Sequence, residues 1–163
     1  MTSFWYFRNG MQFPELLEEA PYYLKEGILF SQFGVHIRQH YILGKCHVDL
    51  QRQICAALKT LCFFPGDRIT FIGDIDHCVY FIQDGEVEVL SEDSICVEKV
   101  ECILRSGDTF GFEQAIHPRY GHMYTYKVTK NSLILYLKQE DWIHLLKFFP
   151  ASKMFIYNYK RNV

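Results

Sequence analysis

Phe63-Phe64-Pro65-Gly66-Asp67, Val79-Tyr80-Phe81-Ile82-Gln83-Asp84-Gly85-Glu86-Val87-Glu88-Val89-Leu90 and Gly107-Asp108-Thr109-Phe110-Gly111 mark the stretch from Phe63 to Ile116 on which the fold turns. Runs of β-branched and aromatic residues, broken by Pro-Gly-Asp, Asp-Gly and Gly-Asp, describe short antiparallel strands joined by tight turns. Val87 and Val89 alternate with Glu86 and Glu88, the period of two of a strand with one wet face. Gln83-Asp84-Gly85-Glu86 is the strongest hairpin signal in the chain. Strands are expected at 62–64, 68–72, 78–83, 86–91, 95–104 and 124–137, with a short helix over Phe110–Ile116.

Upstream, the pattern becomes helical. Residues 4–9 read as an aromatic helix stopped by Asn9-Gly10, and Phe13-Pro14-Glu15-Leu16-Leu17-Glu18-Glu19 has Pro at a first helical position with acids in the first turn. From Tyr22 to about Leu43, Leu24, Ile28, Leu29, Phe33, Ile37 and Ile42 recur at roughly helical spacing, predicting one or two helices with a bend. Leu50, Ile54, Leu58 and Leu61 place one amphipathic helix over Cys46–Leu61. Downstream, Gln139–Phe149 and Ser152 to about Tyr159 read as two helices interrupted by Pro150.

The chain has 163 residues, 49% hydrophobic and 17% aromatic, enough for a core. A net charge of −2 offers no footprint for a polyanion, so nucleic acid is not an expected partner. No apolar run reaches the roughly 20 residues that span a bilayer. The six cysteines show no Cys-x-x-Cys spacing and read as small buried hydrophobes in a reducing compartment, with a zinc site at Cys46 and His47 as the sharper alternative. His36 and His40, four apart, read as a solvated helix face, and Asp74, Asp76 and His77 as a solvated turn. No serine has a nucleophile-elbow context, so an enzyme is not expected.

A Gly-containing loop leading into a helix offers the N–H groups a phosphate needs, and Phe110-Gly111-Phe112-Glu113 is such a place, although taken alone the signal is weak because many ordinary turns contain one Gly. Taken with Phe64-Pro65-Gly66-Asp67, Tyr80-Phe81-Ile82 through Gly85, Val87-Glu88-Val89, Gly107–Gly111 and Phe148-Phe149-Pro150, the chain resembles a cyclic-nucleotide-binding domain. Glu15-Leu16-Leu17, Pro21, Leu24, Lys25 and Ile28 resemble the C-linker that precedes it in cyclic-nucleotide-gated, hyperpolarisation-activated and ether-à-go-go type cation channels. The resemblance implies an α+β fold: a helical linker over 1–61, then an antiparallel, jelly-roll-like β-roll with C-terminal helices over 62–163.

It also implies a ligand pocket around Phe110, Gly111, Phe112, Glu113, Arg119, His122 and Tyr124. Binding members follow Phe-Gly with a Glu for the ribose and later use an Arg for the phosphate, since a guanidinium makes paired charge-assisted bonds. Here Phe112 takes the Glu position, Glu113 comes one residue late, and the Arg position falls on Gly121 or His122. Arg119 serves only with a shortened cassette, a histidine carries charge only when protonated, and Tyr124 stands where a small Ala is expected. The pocket is therefore expected to be degenerate, with Met154, Tyr157 and Tyr159 as candidates to fill or cover it. Ile156-Tyr157-Asn158-Tyr159-Lys160-Arg161 resembles the segment that occupies the ligand site in ether-à-go-go type channels.

The expectation is a regulatory domain on the cytosolic side of the plasma membrane in a tetrameric cation channel. It would contact other subunits through residues 4–61 and couple to the pore of the same chain. No cofactor or metal is expected. A working cAMP or cGMP receptor, a sperm-type sodium/proton exchanger domain and a ligand-free assembly module are the alternatives.

Overall fold

The computed structural model describes residues 22–116, 119 and 121–161, with side chains from 27 to 158 within those spans. The helices expected at 4–9 and 13–19, and the side chain of Tyr159, lie outside the described residues. In chain order the elements are α1 (Tyr22–Gln39), a 3-10 turn (Leu43–Lys45), α2 (Val48–Ala57), β1 (Lys59–Phe63), β2 (Arg68–Thr70), β3 (Val79–Asp84), β4 (Glu86–Glu92), β5 (Glu98–Arg105), β6 (Thr109–Phe110), α3 (Phe112–Ile116), β7 (Thr125–Val128), β8 (Ser132–Leu137), α4 (Gln139–Leu146) and α5 (Pro150–Arg161).

Lys59–Gln139 forms one compact unit, and the helices on either side of it group into a second. This differs from a cut into 1–61 and 62–163 at both ends. The expected helix over Cys46–Leu61 stops at Ala57, because Leu58 turns extended and Lys59–Phe63 pairs along β8 from Lys59↔Tyr136 to Phe63↔Ser132. The ladder overrides the helical spacing that Leu58 and Leu61 suggest.

In the helical unit, α1 is a single helix through Gly27 and Gly34. His36 and His40 are buried, which corrects their reading as a solvated face. His40 Nδ1 accepts from the amides of Ile42 and Leu43, both at 3.1 Å, and so caps the chain where α1 ends. Buried Gln51 donates to three carbonyls of the following turn, those of Leu43, Gly44 and Cys46, at 3.1, 3.2 and 3.0 Å. Buried backbone polar groups must find partners, and here side chains supply them. Among the cysteines Cys46 and Cys55 are buried and Cys78 packs half-buried against the core, while Cys62, Cys96 and Cys102 are exposed, so half do not serve as core hydrophobes.

The roll is two four-stranded antiparallel sheets, ordered β1-β8-β3-β6 and β2-β7-β4-β5. The expected hairpin at Gln83–Glu86 is a corner: β3 pairs with β6 and β8, and β4 with β5 and β7. A single residue, Gly85 at φ +125°, takes the chain from one sheet to the other, and an added Cβ there would collide with Ser132. Only glycine adopts such a backbone cheaply. The expected strand over 124–137 likewise splits at Thr129–Asn131, where β7 in one sheet gives way to β8 in the other. The two corners are tied together: Thr129 N–H donates to Glu86 O at 3.0 Å and Glu86 N–H to Ser132 Oγ at 3.2 Å. Ile82, Val87, Val89, Val128 and Ile134 fill the space between the sheets with three aromatic rings, Tyr80, Phe110 and Tyr126. Val87 and Val89 point inward as their alternation predicts.

Candidate functional site

The site grows from the turn at Gly107. Asp108 Oδ2 accepts from Arg105 N–H at 2.8 Å, and the chain then pairs briefly with β3 through Phe81↔Thr109 and Tyr80↔Phe110. Thr109 Oγ1 donates to Tyr80 O at 2.7 Å, which fixes β6 against β3. Gly111 follows at φ +85° in a space with no room for a side chain: a Cβ would lie 2.6 Å from Cys78 O and 3.2 Å from the Tyr80 ring. α3 begins at the next residue.

Phe110 sits in the middle of a stack. Its ring lies 4.9 Å from Tyr80 and 4.1 Å from Tyr126, both at 15°. Tyr80 and Phe110 belong to one sheet and Tyr126 to the other, so the stack bridges the inside of the roll. Tyr136 extends it at 6.5 Å from Tyr80. Offset aromatic pairs of this kind add about 0.5–1.5 kcal/mol each beyond their buried area. Burial pushes the Tyr126 phenol up to about 12, and burial followed by the bond to Asp76 raises that of Tyr80, so both rings stay neutral.

A polar group closes one end of the stack. His122 stands edge-on to Tyr126 at 5.9 Å, and its Nε2 is 2.8 Å from Asp76 Oδ1. Tyr80 O–H donates to Asp76 Oδ2 at 2.6 Å, and Cys78 N–H to Oδ1 at 3.2 Å. Burial alone would raise the Asp76 pKa, but the bonds from His122 and Tyr80, the electrostatics of the His122 ring and the Cys78 amide more than offset it. The carboxyl is held below the usual aspartate range. The loop bearing Asp76 is fastened to the same place, with Gly73 N–H donating to His122 O at 2.8 Å and His122 N–H to Asp74 O at 2.9 Å.

Of the residues singled out in the sequence, Phe110, Gly111 and His122 meet here, Phe112 is buried beside them, and Tyr124 packs against the aromatic core. Glu113 and Arg119 are exposed. Met154 is exposed and Tyr157 half-buried on α5. Tyr80 and Tyr126 carry no expectation of a site in the sequence, and Asp76 is expected there only as part of a solvated turn. Asp76 is a bonded acceptor and not a solvated turn residue. Tyr80 shares the inward parity of Ile82, and Tyr126 that of Val128, which was the available signal. Among the described residues no group of three side chains is placed to hold a metal, and no helix is long and apolar enough to cross a membrane.

With this geometry established, comparison with known proteins gives a consistent result. The family model for the cyclic nucleotide-binding domain matches residues 61–147. The chain is 26% identical over 117 residues to the rat voltage-gated inwardly rectifying potassium channel KCNH6, which covers 72% of this chain. It is 29% identical over 107 residues to the chicken cyclic nucleotide-gated channel cone photoreceptor subunit alpha, covering 66% of this chain. The matches span 12% and 14% of those two channels' lengths. Among solved structures, the N-terminal domain of a transcriptional regulator from Streptomyces coelicolor A3(2) superposes with a TM-score of 0.69 at 15% identity, over 76% of this chain and 85% of that one, and shares the fold.

Proposed function

The chain belongs to the cyclic nucleotide-binding domain family, and from that premise we propose that it is a cytosolic regulatory domain of a cation channel whose pocket its own side chains fill. Its relatives among channels support the setting. The observation that carries the closed pocket is the ring stack Tyr80–Phe110–Tyr126, which joins the two sheets through the inside of the roll. A nucleotide base and sugar would have to displace rings already stacked on one another. Among the described residues, the histidine that meets the stack already bonds Asp76, and the one arginine of the 112–124 segment is exposed.

In this reading the domain works without ordinary cAMP or cGMP binding. Residues 4–61 contact neighbouring subunits of a tetramer at the plasma membrane, and shifts of the terminal helices bias the open and closed states of the gate. Titration calorimetry with cAMP and cGMP, on the wild type and on Arg119→Ala, tests it. The expected result is no heat and no thermal shift at millimolar nucleotide. Saturable binding by the wild type that Arg119→Ala abolishes would overturn it.

A further inference from the structure

Three donors from separate places converge on the Asp76 carboxylate: the His122 ring at 2.8 Å, the Tyr80 hydroxyl at 2.6 Å and the Cys78 amide at 3.2 Å. Donors fixed in this way around one point form an oxyanion cradle. Each is held by something other than the carboxylate. The His122 backbone is clamped by Gly73 and Asp74, and Gly121 packs so closely that a Cβ would lie 2.7 Å from Gly73 O. Tyr80 is fixed in the ring stack, and Cys78 leads directly into β3. The His122 side chain is fully buried, whereas that of Asp76 is 28% exposed. Among the described residues His122 Nδ1 is buried with no partner, and Nε2 is the ring nitrogen that faces the carboxylate. The cradle is thus built from the inside, and its occupant backs onto water.

We propose that this cradle is a binding site for a small oxyanion, the carboxylate or phosphate group of a ligand, kept shut by Asp76 as a built-in competitor. The proposal rests on the reading of a self-filled pocket and says what opens it: exchange of the loop's own carboxylate for an external one. A tethered competitor acts at a high effective concentration, so the wild type binds free anions weakly and removal of the tethered group uncovers the affinity.

The test uses the whole chain with Asp76→Ala, titrated with inorganic phosphate and with acetate against chloride at matched ionic strength, by calorimetry and thermal shift. Asp76→Ala is expected to bind at least one of the two anions about tenfold or more tighter than the wild type. Adding Tyr80→Phe should remove most of that gain. A response to phosphate alone identifies a phosphoryl group as the ligand chemistry, and an equal response to acetate identifies a carboxylate. Asp76→Asn, whose carboxamide oxygen can still accept from the Cys78 amide and the His122 ring while its NH2 group donates to the Tyr80 hydroxyl, should stay as indifferent as the wild type. A folded Asp76→Ala that ignores both anions, or an Asp76→Asn that gains as much, overturns the proposal. If Asp76→Ala does not fold, Asp76→Ser is read by the same criteria. Nucleotide binding by the wild type would instead overturn the self-filled pocket, so the two failures are distinguishable.

Discussion

His40 in the helical unit and His122 in the roll are both nearly sealed from solvent, 4% and 2% exposed, yet their polar neighbours differ in kind. His40 accepts from two backbone amides next to it in sequence, at positions 42 and 43, and burial drives its pKa down to about 4. It acts as a neutral cap for the end of a helix. His122 instead faces a carboxylate 46 residues away in sequence, and the pair ties a loop to the inside of the roll. In the first arrangement the two donors to Nδ1 are main chain. The second holds a side chain that another acid of the same shape can replace. A buried histidine is therefore no guide to a site until its partner is known.

Phe110→Ala breaks the roll's side of this comparison with the largest effect. Removing the middle ring should cost about 3–5 kcal/mol and weaken the hold on His122 through Tyr126, seen as a lower urea midpoint. Acidification acts on the helical side. The folded His40 pKa lies below the ordinary value of about 6.5, so the unfolded chain binds more protons between the two. The stability from its neutral ring is complete above pH 6.5 and lost as pH falls toward 4, a change of about 3 kcal/mol. His40→Asn should flatten that slope in urea titrations across the window. Tyr80→Phe is the smallest change. It removes one hydroxyl bonded to an ionised carboxylate and should cost about 1.5–3 kcal/mol near neutral pH. The Asp76 pKa is depressed, so this difference should shrink as pH drops below the ordinary aspartate range near 3.9, followed by thermal melts from pH 7 downward.

Local features of the roll were legible because they depend on neighbouring residues. Alternation at Glu86–Val89 put the valines inside, and Gly85 announced a sharp reversal. Which sheet the chain enters after the reversal depends on Ser132 and Thr129, more than 40 residues on, so a corner looked like a hairpin. The start of β1 at Lys59 was hidden for the same reason, since its helical spacing runs on and only the ladder with β8 ends it. At the site, Phe110, Gly111 and His122 stood out by type and position. Asp76 did not, because a carboxylate in a loop looks solvated until its donors are placed around it. His36 in α1 and His40 just past its end are hidden in the same way: their spacing suits a wet face, and the amides that His40 caps come after it in the chain.

The first strand of the roll pairs with the last, Lys59 with Tyr136. On a ribosome that adds about 5–20 residues per second, β1 waits roughly 4–15 s for its partner to be made. During that interval Leu61, Cys62 and Phe63 present an unpaired ladder edge, and β8, whose residues Leu133, Ile134 and Leu135 are all buried in the finished roll, is not yet there to cover it. Nascent chains should therefore be most open to chaperone capture, or to pairing with one another, just before Ser132–Leu137 emerges.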